Sequence, residues 1–98
     1  MYKYEWRRFL ERDETMGYII EKTPKFLNAL KHIKDNQLKI KIFKQIEKII
    51  KNPEIGKPMM YKRKGTREVR IPPFRLSYAY LKEENKIIFL DLYHKDEQ

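Results

Sequence analysis

Seven cationic side chains, Lys57, Lys62, Arg63, Lys64, Arg67, Arg70 and Arg75, fall between positions 57 and 75 against one acid, Glu68. Such a density of positive charge attracts polyanions, and a planar guanidinium forks onto phosphate oxygens. The stretch carries +6 of the chain's net +9. A second chemical group closes the chain, where Tyr93, His94 and Lys95 follow an apolar run. Imidazole is the side chain whose unperturbed pKa lies near neutrality, so His94 suits acid or base work. The Tyr93 ring suits stacking on a nucleobase. With no cysteine in the chain, disulfides, thiol nucleophiles and thiolate metal sites are excluded. His32 and His94 are the only imidazoles, too few for an ordinary zinc site. The chemistry expected is therefore free of metal and cofactor.

A chain of 98 residues is one domain with one modest core. At 41% hydrophobic and 38% charged, it is too apolar for a disordered tail and too charged for a membrane protein. No apolar run approaches the ~20 residues that span a bilayer. The N-terminus lacks an apolar signal core, so the expected location is the cytoplasm. The basic surface has a plainer reading as a lysine-rich solvated one.

Residues 1–15, MYKYEWRRFLERDET, are mixed in charge and have Trp6, Phe9 and Leu10 at helical spacing. They read as an N-terminal appendage, with a single domain over 16–98. Tyr18 to Lys22 is β-prone. Thr23-Pro24 starts a helix, because threonine caps free amides and proline suits the first turn. Phe26, Leu27, Leu30 and Ile33 form its apolar stripe. A second helix over 38–51 carries Leu38, Ile42, Phe43, Ile46, Ile49 and Ile50 on one face. Lys41, Lys44, Lys48 and Lys51 recur on another, which reads as solvation. Asn52-Pro53 ends it. Glu68–Ile71 and Phe74–Tyr80 alternate as strands, Glu83-Glu84-Asn85 makes a turn, and Ile87–Tyr93 is a further strand. The order predicts an α+β fold, with an N-terminal strand and a helical hairpin packed on one face of a small twisted antiparallel sheet.

Strand alternation then assigns faces. Val69, Ile71, Leu76 and Tyr78 turn to the helices, and Glu68, Arg70, Arg75 and Ser77 share the wet face. The same parity sends Ile88, Leu90 and Leu92 inward, and Asp91, Tyr93 and Lys95 outward, with His94 at the ragged strand end. The predicted core is Phe26, Leu30, Ile42, Ile46, Ile50, Val69, Leu76, Leu90 and Leu92. The plain alternative for the wet face is mutual charge pairing, Arg70 with Glu68 most easily.

The ordered set "NPEIGKPM", a glycine, "REVRIPPFRLSYAY" and "IIFLDLYHKDE" resembles the RelE/ParE toxin superfamily of toxin–antitoxin modules over residues 16 to 98. The resemblance implies a RelE-like fold, a cognate antitoxin partner, and one of two activities. RelE-type members cut mRNA in the ribosomal A site, whereas ParE-type members inhibit DNA gyrase. For an RNase it implies Arg75 and Arg70 as phosphate-facing groups and His94 or Lys95 at the end of the last strand. Metal-free cleavage needs a proton taken from the 2′-OH, a stabilised phosphorane and a proton for the leaving 5′-oxygen. Arg75 is expected to steady the phosphorane, and Arg70 and Lys95 to hold phosphates. His94 is expected as acid or base, Glu68 as a candidate base, and Lys62, Arg63, Lys64, Arg67 and Tyr93 as RNA contacts. Two features depart from RelE itself. Glu68 stands where RelE has a basic residue, and no tyrosine follows the last strand. The position near Met59, where YoeB-like relatives carry a glutamate, is not acidic. The expected function is a ribosome-dependent mRNA endoribonuclease toxin, with mRNA, ribosome and antitoxin as partners and no membrane. Its rivals are a ParE-like gyrase inhibitor and an inactive basic nucleic-acid-binding relative.

Overall fold

The structure, a computed structural model, describes residues 9, 11, 14–59 and 65–97. The chain runs β1 (Glu14–Thr15), β2 (Tyr18–Lys22), α1 (Pro24–Lys31), α2 (Asn36–Lys51), β3 (Lys57–Pro58), β4 (Thr66–Ile71), β5 (Phe74–Leu81) and β6 (Lys86–His94). The strands form one six-stranded sheet in the order β1-β2-β6-β5-β4-β3. The expectation of an antiparallel sheet holds for every pairing but one. Strand β2 lies parallel to β6, Ile20 opposite Ile87 and Lys22 opposite Phe89; the chain between them runs through both helices and through β3, β4 and β5, the long connection that a parallel pair requires.

Both helices start where the sequence supplies a cap. The Thr23 hydroxyl accepts from the Phe26 amide at 3.0 Å, with Pro24 in the first turn. Asp35 accepts from the Gln37 amide at 2.9 Å, so α2 begins at Asn36, ahead of the expected Leu38. Phe26 and Leu30 of α1 and Ile42, Phe43, Ile46, Ile49 and Ile50 of α2 are buried against Ile20, Ile71, Leu76, Tyr78, Ile87, Phe89 and Leu92 of the sheet. Val69 is partly buried against the same cluster. Burying side chains of this size stabilises by roughly 1.5–3 kcal/mol each.

One predicted parity is corrected. Leu90 and Ile88 do not face the core; Ile87 and Phe89 do. Ser77 pairs with Asp91 but Tyr78 pairs with Phe89, so Leu90 is the extra residue of a β-bulge. The bulge resets the alternation. Ile87 and Phe89 face inward before it, and Leu92 faces inward after it. Threonine 23 anchors this point. Its amide donates to the Phe89 carbonyl at 3.1 Å and its hydroxyl to the Leu90 carbonyl at 2.6 Å. The N-cap of α1 therefore also satisfies the carbonyls left free where β2 ends.

Of residues 1–15, positions 9, 11, 14 and 15 are described. Phe9 is buried, with its ring edge-on to Phe26, Phe43 and Phe89 at 6.2, 5.8 and 5.4 Å. Its carbonyl accepts from Lys22 Nζ at 2.7 Å. Glu14–Thr15 adds a strand to β2. The helical spacing of Trp6, Phe9 and Leu10 carries no sign of which distant cluster Phe9 completes.

Two stability measurements check these assignments. By chemical denaturation, Leu92→Ala should cost about 2–5 kcal/mol as a core cavity, and Leu90→Ala clearly less; equal losses would overturn the bulge. Thr23→Ala should cost about 1–2 kcal/mol, and Thr23→Ser should recover most of it by restoring the hydroxyl.

Candidate functional site

On the face of the sheet away from the helices, the register sets side chains in rows. Arg70 lies opposite Arg75, which lies opposite Tyr93; next to that row, Glu68 lies opposite Ser77, which lies opposite Asp91. Glu68 joins the rows. Its Oε2 accepts a short hydrogen bond from the Tyr93 hydroxyl, and its Oε1 lies 3.6 Å from Arg75 Nη1. The carboxylate is 16% exposed and the guanidinium 26%, so the pair is shielded enough to matter more than a fully exposed one. The acid therefore pairs with Arg75, not with Arg70 as the plain reading had it. Arg70 stays exposed beside the pair.

A groove opens over this face, lined by Glu68, Arg75, Ser77, Asp91 and Tyr93 on the sheet and by Lys25 and Asn28 on α1. Strand β2 stops at Lys22, so α1 takes its place as the next wall. Lys25 Nζ reaches across to Asp91 Oδ2 at 3.3 Å. Asp91 Oδ1 accepts from the Leu92 amide at 2.8 Å, which fixes the carboxylate. Sequence reasoning put Asp91 on this face but gave it no role, and it missed Lys25 and Asn28. Their spacing places them off the apolar stripe of α1, but nothing local says that α1 borders β6.

Other expected site residues lie elsewhere. His94 pairs with Phe74, its ring 5.6 Å from that ring, so alternation turns it to the face opposite Arg75 and Tyr93. Its Nδ1 accepts from the Asp96 amide at 3.2 Å. Lys95 is exposed and starts a short 3₁₀ turn, Lys95–Glu97, with its amide on the Pro73 carbonyl at 3.0 Å. Lys62, Arg63 and Lys64 lie outside the described residues.

Arg67 is a structural clamp. It shares the helix-side parity of Tyr78, and its Nη1 donates to the Glu54 and Gly56 carbonyls at 2.9 and 2.7 Å. Tyr78, fully buried, completes the lock. Its hydroxyl donates to the Pro53 carbonyl at 2.7 Å and accepts from the Gly56 amide at 2.9 Å. A Cβ on residue 56 would lie 2.6 Å from that hydroxyl, so only glycine fits. Pro53 and Gly56 of the signature are thus held by an internal tether.

The chain matches known proteins in family pattern and in fold. The family model for the ParE toxin of type II toxin–antitoxin systems matches residues 20–98. No curated protein gives a significant sequence match. Among solved structures, the chain is similar to one in the intact E. coli RelBE toxin–antitoxin complex, with TM-score 0.69 and 13% identity, covering 84% of this chain and 100% of that one. It is similar to a chain of the RelBE2 complex of Mycobacterium tuberculosis, with TM-score 0.66 and 22% identity over 80% and 98%. It also resembles a YoeB/ParE toxin from Agrobacterium tumefaciens, with TM-score 0.68 and 16% identity over 76% and 95%.

The Tyr78 lock has a pH signature. Burial pushes the Tyr78 hydroxyl above the ordinary phenol value, against the smaller opposite pulls of the Gly56 amide and the Arg67 charge. Below the unfolded value of about 10 both states keep the proton and the contribution is fully present. As pH rises past it, the unfolded chain ionises first and the stabilisation is lost. Tyr78→Phe should cost about 1–3 kcal/mol near neutrality by leaving the Gly56 amide and Pro53 carbonyl unpaired. Denaturation at rising pH should show wild-type stability falling more steeply above pH ~10 than that of the variant.

Proposed function

The chain belongs to the ParE toxin family of type II toxin–antitoxin systems, within the RelE/ParE superfamily, and we propose that it is a ribosome-dependent mRNA endoribonuclease silenced by a cognate antitoxin. One observation carries this reading: Glu68, Arg75 and Tyr93 interlock on an open sheet face, with Arg70 directly across from Arg75. Such a face offers a carboxylate and two guanidiniums to one phosphodiester.

The chemistry is an attack of the 2′-oxygen on phosphorus, with the bond to the 5′-oxygen breaking. The products are a 2′,3′-cyclic phosphate and a 5′-hydroxyl. Glu68 takes the proton of the 2′-OH. The Tyr93 hydrogen bond orients its carboxylate. Arg75 sits 3.6 Å from Glu68, a loose contact that an incoming phosphate displaces, and its guanidinium then stabilises the phosphorane. Arg70 holds the adjacent phosphate. The exposed Lys95 or the ribosome supplies the proton to the leaving oxygen, since the His94 ring turns to the other face. The ribosome orients the RNA for in-line attack, which supplies much of the acceleration. The site is the cytoplasm, where translating mRNA is found, and the antitoxin offers an acidic or amphipathic segment to this basic chain. Among the described residues no helix is long and apolar enough to cross a membrane.

A second reading, a ParE-like inhibitor of DNA gyrase that cuts nothing, draws on the same geometry. Glu68 neutralises the arginine that an RNase would leave free, and His94 is turned away.

Primer extension on an mRNA under translation separates them. Wild type should cut, Arg75→Ala should lose about 10²–10³-fold in rate with its fold intact, and His94→Ala should be nearly silent. Uncut mRNA together with blocked gyrase supercoiling would overturn the RNase reading.

A further inference from the structure

The rows of side chains on the open face are uneven in height. Ser77 and Ala79 follow one another on that face of β5, and are 4% and 8% exposed. Ser77 is flanked by Glu68 on β4 and Asp91 on β6. A small side chain between two longer ones makes a notch in the groove. Arg75 stands at one end, and Lys25 of α1 closes the far side.

The two carboxylates of this notch are not equivalent. Glu68 is engaged by Tyr93 and Arg75. Asp91 has one oxygen held by the Leu92 amide. Its other oxygen meets only Lys25 among the contacts described, and that lysine is 77% exposed. An exposed lysine pair of this kind exchanges at little cost. The notch therefore presents an oriented carboxylate with a displaceable partner, next to the arginines that face phosphate.

We propose that the notch over Ser77 is a nucleobase subsite that takes guanine, with Asp91 as its specificity-determining residue. Guanine places a ring N–H and an amino N–H side by side on its Watson–Crick edge, which suits the acceptor pair of a carboxylate. Adenine and cytosine set an acceptor beside the amino group. Uracil flanks its N–H with carbonyl oxygens, which a carboxylate repels. Reading an unstacked base on its Watson–Crick edge is the usual mode for single-stranded RNA. Displaced Lys25 is then free to meet the phosphate of the flanking nucleotide.

The inference rests on the RNA reading above, and its test separates the two. Fluorescence anisotropy is measured with labelled tetranucleotides, 2′-O-methylated throughout so that no 2′-OH can attack. They carry guanosine, inosine or uridine at one position. Inosine differs from guanosine only by the missing amino group. Wild type should bind the guanosine oligonucleotide about ten-fold or more tighter than the inosine one, the size expected for losing half of a paired contact. Asp91→Asn should abolish that preference while keeping uridine affinity within about two-fold. Arg75→Ala should weaken all three alike. Equal wild-type affinity for guanosine and inosine, a preference that survives in Asp91→Asn, or no binding at all would overturn the subsite. Primer extension alongside reports on the reaction. Cutting without guanine preference removes the subsite and leaves the endoribonuclease; guanine-selective binding without cutting keeps the subsite and removes the endoribonuclease.

Discussion

The pairing of β5 with β6, interrupted by one bulge at Leu90, is the constraint on which both faces of this molecule depend. The core needs Phe89 against Phe26, and the open face needs Tyr93 beside Arg75 and Glu68. Strict alternation cannot deliver Ile87, Phe89 and Leu92 to one side and Asp91 and Tyr93 to the other. An extra residue can, because it lets the strand change parity without leaving the sheet. The carbonyls beside the bulge would lose their partners where β2 ends. Thr23 takes them with its amide and hydroxyl while it caps α1. One threonine thus ties the start of a helix to the point at which the sheet switches sides, and it sets α1 as the wall of the groove.

Charge is organised by a similar economy. The chain carries many more cations than acids, yet the acid in its most basic stretch sits at the centre of the open face. Glu68 orders Arg75 and Tyr93 at once. A guanidinium held by a partly shielded carboxylate has fewer rotamers to lose when an anion arrives, so the arrangement favours preorganisation. On the opposite parity of the same strand, Arg67 is spent on the Glu54 and Gly56 carbonyls, and Tyr78 holds the same loop from beneath. Neighbouring arginines of β4 therefore have unrelated work, and the strand's alternation divides it between them.

Much of the architecture was legible from local chemistry. Thr23-Pro24 announces the start of α1, Asn52-Pro53 announces the end of α2, and the stripes of α1 and α2 name their buried faces. The alternation in Glu68–Ile71 and Phe74–Tyr80 put Arg70, Arg75, Glu68 and Ser77 on one face, where the structure has them. These signals are short-ranged, so the chain states them outright. The apolar run Ile87–Leu90 carried no such signal. Where every residue is apolar, period two has nothing to report, and Leu90 was placed in the core that Phe89 occupies.

The sequence by itself determined the two helices, the four longer strands, the basic wet face and the family signature, because caps, breakers and periodicity act over a few residues. Only the tertiary structure decided which charges meet. That Glu68 pairs with Arg75 and not Arg70, that His94 turns to Phe74 and that Lys25 faces Asp91 are matters of register and of α1 lying where β2 stops. The same holds for Phe9 in the core and for Gly56 under the Tyr78 hydroxyl. Contacts between residues far apart in the chain are set by how faces pack, and packing is a property of the whole fold that no local spacing records.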